Sequence, residues 1–334
     1  MEKAATSREL VRGVFDFADV ARLPFIPWVF THAARLEQLP LRRIYADPTQ
    51  YVKCLRNAQK LYGYDAVISG FDASLEAELC GCALGWKGDY EAPVAAPLAS
   101  GNLGYLAAIS EANIGKSGRT GTVMESMRRI GMVSGSTLAL ATVVTGPLTL
   151  TATLLGRDVI RDLLDKPDET KKSVEMAVAF LLKVIQTCCE LEPDLVVVAD
   201  RLVPALPAVH WPWLRSTMGP IVNTVRFYNA FSVLLPGEST PGTLANMIEL
   251  SFDGIVAGEV DIKTWNGLRG GRPCVLGKAI PSRLLTSGRA ALGDYLKNNL
   301  PAGVHHGVFL TTDWEVPAAA SPEAVHLLMK AISS

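Results

Sequence analysis

No stripe of positive charge runs through this chain. Its 32 Lys and Arg against 33 Asp and Glu leave a net charge of −1. The basic residues are scattered and not interleaved with aromatics, so no nucleic-acid partner is expected. No Gly-x-Gly-x-x-Gly follows the first apolar run, which argues against a doubly wound dinucleotide fold. The "GNLG" near Asn102 lacks both the preceding strand and the third glycine. The six cysteines (Cys54, Cys80, Cys82, Cys188, Cys189 and Cys274) have no zinc-knuckle spacing. With no signal peptide in view, they read as free thiols of a reduced, cytoplasmic protein. No second domain, internal repeat or linker shows in the sequence.

Charge is missing altogether from "GMVSGSTLALATVVTGPLTLTATLLG", Gly131 to Gly156. That length could span a bilayer. Its Ser and Thr content and the Gly146-Pro147 break fit a buried strand, a tight turn and a buried helix instead, so no membrane contact is expected.

What the chain does have is apolar surface, 49% of its residues, enough for a large core. Eight short Val/Ile/Leu-rich runs lack polar alternation, as in parallel strands covered on both faces: "LPFIPWVF", "DAVISGF", "LALATVV", "DLVVVAD", "FYNAFSVLL", "DGIVAG", "CVLG" and "GVFLTTD". Helical stretches with clear caps separate most of them. One example is "DPTQYVKCLRNAQKLYG", with Asp47 as N-cap, Pro48 at the first turn and Gly63 at the end. Eight such units predict an α/β fold, a (β/α)8 TIM barrel occupying residues 1–334 as one domain. Residues 1–22, containing "MEKAATSRELVRGVFDFADV", are expected to form a helical cover on its floor.

Five runs deliver an acid at their C-terminal end: Asp72, Asp200, Glu238, Glu259 and Asp313. In a barrel these ends share one rim, where active sites of this fold sit. Five carboxylates gathered there would repel unless protonated, hydrogen-bonded or bound to a cation. Aromatics fall on the same loops, at Trp28, Phe30, Trp86, Trp211, Trp213 and Trp314, and could wall an aromatic or methylated substrate.

The segments "VFTHAARLEQLPL", "YGYDAVISGFDASLEAELCGC", "TGPLTLTATLLG", "CVLGKAIPSRLLTSG" and "GVFLTTDWEVPAAASPEAVHLLM" occur in an order and spacing that resemble the uroporphyrinogen decarboxylase superfamily. The resemblance covers nearly the whole chain and implies the same barrel. Its decarboxylases carry Arg-Gln-Ala-Gly-Arg in the first loop and an Asp after the second strand. Here "THAAR" keeps Arg35, puts Thr31 and His32 near the first arginine's place, and Asp72 matches the Asp. A tetrapyrrole with eight carboxylates also needs more cations than an acidic rim supplies. The corrinoid-dependent methyltransferase branch is the closer resemblance. Its thiol-using members hold zinc with His-x-Cys after the fifth strand and Cys after the eighth. Leu235, Gly237 and Trp314 stand at those positions.

The resemblance therefore implies methyl transfer from a small methylated substrate, an aryl methyl ether first of all, to a corrinoid (cobalamin) carried by a partner protein, since no Asp-x-His-x-x-Gly occurs here. Glu238 and Glu259 are the expected acids for the leaving group, then Asp200, with His32 as an alternative. Asp72, Arg35, Trp86, His210, Trp211, Asp313 and Trp314 are expected to contact substrate. Glu238, Glu259 and Asp313 are the candidate oxygen ligands for a divalent metal. A homodimer is compatible with this reading. The alternatives are a decarboxylase of the same superfamily, or a non-catalytic binder of a corrinoid protein or small ligand.

Overall fold

The structure is a computed structural model that describes residues 5–116, 118–300, 303–304 and 306–333. Nine strands form among them: β1 (Ala66–Ser69), β2 (Leu84–Gly85), β3 (Val94–Ala95), β4 (Ala139–Thr145), β5 (Leu195–Ala199), β6 (Phe231–Leu235), β7 (Gly254–Ala257), β8 (Val275–Ile280) and β9 (Val308–Thr312). β2 and β3 make a small antiparallel hairpin. The other seven are parallel and pair in chain order from β1 to β9.

The segment around Phe25 fills the space between β9 and β1. Phe25 bridges Leu310 in parallel. Ile26 N–H donates to Leu310 O at 2.8 Å, and Asp65 N–H donates to Phe25 O at 2.9 Å. Pro24 and Pro27 carry no N–H, so this stave touches both neighbours without building a ladder. With it, eight staves close a (β/α)8 barrel, and all eight apolar runs read from the sequence are staves. Every residue of β1 and β4 is buried, which is why those strands show no polar alternation.

The uncharged stretch resolves into β4 and the helix Pro147–Leu155. No helix among the described residues is long and apolar enough to cross a membrane. The helix Pro48–Tyr62 starts where expected, with Thr49 N–H donating to Asp47 Oδ1 at 2.8 Å, and ends at Gly63 in the left-handed region, φ 76°.

The barrel floor is closed by the helix Ser7–Phe15; residues 1–4 of the expected cover lie outside the described residues. A capping box between Thr6 and Glu9 starts it. Phe15 stacks on Phe231 at 4.8 Å and Phe309 at 5.7 Å, while Arg8 and Arg12 both reach Asp194, at 2.9 and 3.0 Å. The floor also contains a repeated clasp. Asp65, Asp194 and Asp253 each stand one residue before β1, β5 and β7. Each accepts a backbone N–H from the preceding stave: Phe25 at 2.8 Å, Leu140 at 3.2 Å and Ser232 at 2.8 Å. A buried carboxylate that pairs across two strands fixes their register.

Gly146 follows β4 at the opposite end. A Cβ there would lie 2.2 Å from Asp200 Cβ and 2.5 Å from its Oδ2. Gly146→Ala is therefore expected to lower stability by about 2–3 kcal/mol, read as a fall in the urea midpoint at unchanged m-value.

Candidate active site

The C-terminal strand ends form the mouth of the barrel. After β1, the chain turns at Gly70, whose φ of 79°, with an added Cβ only 3.3 Å from Val143 O, disfavours a side chain. Asp72 then opens the helix Leu75–Leu79 as an Asx turn: Oδ1 accepts Ser74 N–H at 2.8 Å and Ser74 Oγ–H at 2.6 Å. Oδ2 accepts the Tyr45 hydroxyl at 2.9 Å and pairs with Arg119 Nη1 at 2.5 Å. Arg119 also holds Glu78 at 2.7 Å and lies over the rings of Tyr45 and Trp86. Trp86 and Arg35, two expected substrate contacts, belong to this side of the mouth. Arg42 stacks on Trp86 at 5.1 Å, and Arg35 on Tyr90 at 4.9 Å.

An aromatic row crosses the mouth. Trp28 is fully buried and donates Nε1–H to Thr312 O at 2.7 Å. Phe71 stacks on Trp28 and meets Trp314 edge-on at 5.4 Å. Arg201 caps the row, its guanidinium 3.6 Å from the centre of the Trp314 ring. Asp313 accepts Ser282 N–H at 2.8 Å and, with Glu238, exerts its field on Arg201. Glu259 is exposed next to Lys278, whose Nζ donates to the carbonyls of Gly258 and Val260. The strongly acidic rim expected from sequence is thus mixed in sign, because Arg119, Arg201 and Lys278 stand among the acids.

The acids divide sharply by environment. Glu238 and Glu259 are exposed. Asp200 is fully buried and accepts four donors: Leu148 N–H, Thr149 N–H, Thr149 Oγ–H and Leu202 N–H. It therefore caps the helix Pro147–Leu155 from the neighbouring stave. Burial outweighs those donors and pushes its pKa up to about 6. Glu76, which accepts the Thr145 hydroxyl at 2.7 Å, is pushed by burial up to about 7. Glu315 spans the seam of the barrel and accepts the Thr31 N–H. Part of the residue reaches the surface, but its carboxyl is enclosed, and burial lifts it to about 8 with Asp72 adding to the effect.

Other expected residues lie away from the mouth. His32 is 1% exposed and pairs through Nε2 with the Tyr62 hydroxyl at 2.7 Å. Its ring stacks on Tyr62 between helices, and burial lowers its pKa. His210 binds Leu163 O at 3.1 Å, Trp211 is buried, and Trp213 donates to Glu175. The "HWPW" segment therefore packs into the outer helical layer, because its partners sit on the helices Val159–Asp165 and Pro167–Cys189. Sequence reasoning passed over Arg119, Arg201, Lys278 and Glu315. Arg201 and Glu315 directly follow Asp200 and Trp314, so their place just past a strand end was the available signal.

The donor set does not fit zinc. Leu235 and Gly237 have no ligating side chain, and an indole N–H only donates. Among the described residues, no three of His, Cys, Asp and Glu come together as a metal cluster, so Glu238, Glu259 and Asp313 do not form one. All six cysteines are buried free thiols. Cys274 lies at the floor end of β8, and burial pushes it up to about 12. Next to the Arg119–Glu78 pair, a cleft of about 440 Å³ is lined by Glu78, Leu79, Tyr105, Ile109, Asn113 and Thr120, among others.

No curated protein sequence matches. Among solved structures, a methyltransferase from Methanosarcina mazei is similar with a TM-score of 0.82 at 17% identity, covering 98% of both chains. A B12-independent methionine synthase from Shewanella sp. W3-18-1 has a TM-score of 0.51 at 12% identity, covering 85% of this chain and 86% of that one. At these identities the likeness is one of fold. Residues 6–334 match the sequence model of the family described as Uroporphyrinogen decarboxylase (URO-D), and the chain belongs to that family.

Proposed function

We propose that this protein is a methyltransferase. It would move a methyl group from a small methylated donor, with an aryl methyl ether as the first candidate, to a corrinoid on a partner protein. The observation that carries this reading is the Trp314 indole at the mouth, backed by the buried rings of Phe71 and Trp28, an aromatic face suited to a flat methylated ring. The likeness in fold to a methyltransferase supports it. The partner's corrinoid supplies a cobalt(I) nucleophile. This chain's residues would orient the donor with its methyl carbon facing outward and assist the departing oxygen.

The expected acids Glu238 and Glu259 are exposed. Glu315 stands next to Trp314, and burial lifts its carboxyl to about 8, above Glu76 at about 7 and Asp200 at about 6; we assign it the proton transfer. Turnover of ether donors is then expected to fall as pH rises past about 8, and Glu315→Gln to slow it about 10²–10⁴-fold. Against a decarboxylase, the most enclosed cation of the mouth, Arg119, is already paired with Asp72 and Glu78.

The test mixes the protein with a corrinoid protein reduced to cobalt(I) and a panel of methoxyarenes, and follows the corrin absorbance. Conversion with at least one donor is expected. No conversion with any donor would leave a binding role, and porphyrinogen turnover by the isolated chain would replace this reading with decarboxylation.

A further inference from the structure

Arg201 is held in an unusual way. Its guanidinium sits 3.6 Å from the Trp314 ring centre, whereas the other cation–ring contacts of the chain lie between 4.9 and 5.7 Å. Five N–H groups are available to it, yet among the described residues no protein acceptor or ion-pair partner within 4 Å takes them. Asp313 and Glu238 act on it as charges only. Phe71 braces the far edge of the indole, and Gly237 leaves the space beside the arginine stem free of a side chain, 3.6 Å from its Cγ.

A place that holds a positive charge by ring face and field, with no protein acceptor for it, matches a cation with no N–H to offer. Quaternary ammonium groups are such cations, and aromatic faces recognise them. We propose that the Trp314 face is a cation seat, filled by the chain's own Arg201 and open to a methylated ammonium group when Arg201 swings out.

This goes beyond the aryl ether reading. A methyl group on quaternary nitrogen would leave by attack of the acceptor's nucleophile. The new bond to carbon uses the nucleophile's electron pair, the carbon–nitrogen bond breaks, and its pair remains on nitrogen. A neutral amine departs and no proton is needed, so such a donor would not depend on Glu315. The use of the seat for transfer rests on the methyltransferase reading, but occupancy of the seat does not.

The test is a ligand-observed NMR titration of the whole chain with tetramethylammonium, with tert-butanol as a neutral probe of similar shape. Tetramethylammonium should bind saturably and at least tenfold more tightly than tert-butanol. Arg201→Ala, an exposed position, should tighten tetramethylammonium binding about threefold or more because the internal competitor is gone. Trp314→Leu should weaken it at least tenfold. Weaker or unchanged binding in Arg201→Ala, or equal binding of the neutral probe, overturns the proposal. So does benzoate binding that Arg201→Ala abolishes, because Arg201 would then be a handle for anions. Binding without methyl transfer would keep the seat and remove the proposed function.

Discussion

Arg119→Met is expected to lower unfolding free energy by about 3–5 kcal/mol, because it leaves the Asp72 carboxylate charged and enclosed without its counter-ion. Asp72 is only 5% exposed, and the pair is 2.5 Å apart. The remaining Ser74 and Tyr45 donors cannot neutralise the charge. The same change strips a cation from the rings of Tyr45 and Trp86. Adding Asp72→Asn to the Arg119→Met chain should recover part of the loss, since the amide needs no counter-charge. Urea denaturation of the two single variants and the double variant gives the coupling. Strictly additive losses would show that the pair is not energetically linked and would refute this account.

The second large effect is a fall in stability as pH rises from 6.5 to 8.5. Glu315 and Glu76 have folded-state values of about 8 and about 7, raised from 4.5. An acid raised on folding holds its proton in the native state while the unfolded chain has lost it. Its stabilising proton is present at low pH and is lost as pH climbs through the folded value. Across this window the two carboxyls together should cost about 2–3 kcal/mol, most of it from Glu315. Asp200, at about 6, is largely ionised before the window opens. His32, lowered by burial, acts in the opposite sense, mostly below it. Glu315→Gln should therefore flatten most of the slope. A urea midpoint that stays level in the native protein from pH 6.5 to 8.5 would contradict the enclosure of both groups.

The staves were legible because burial on both faces demands uninterrupted apolar runs, and each run in this chain does become a stave. Even "LPFIPWVF" was readable, although its prolines reduce it to one bridge. The rim was legible only as positions along the chain. Asp72, Asp200, Glu238, Glu259 and Asp313 do all follow strand ends. Which way each side chain turns depends on what lies across the barrel, and a strand-end acid sits close to the free N–H groups of helices starting there. Asp200 turns to the helix of the neighbouring stave and Asp72 to its own, whereas Glu238 and Glu259 meet no such donors and face water. The raised acids were missed for the same reason. Glu76 lies inside a helix and Glu315 one residue beyond the tryptophan that drew attention, and only the packed loops enclose them.

The clasps at the floor have a consequence for how such a chain can change. Asp65, Asp194 and Asp253 lock alternate staves in register at one end, while the groups that would meet a donor stand at the other. Loops at the mouth can therefore exchange residues without disturbing the alignment of the strands. New specificity on this scaffold is a matter of swapping one end of each strand while the other end keeps the architecture.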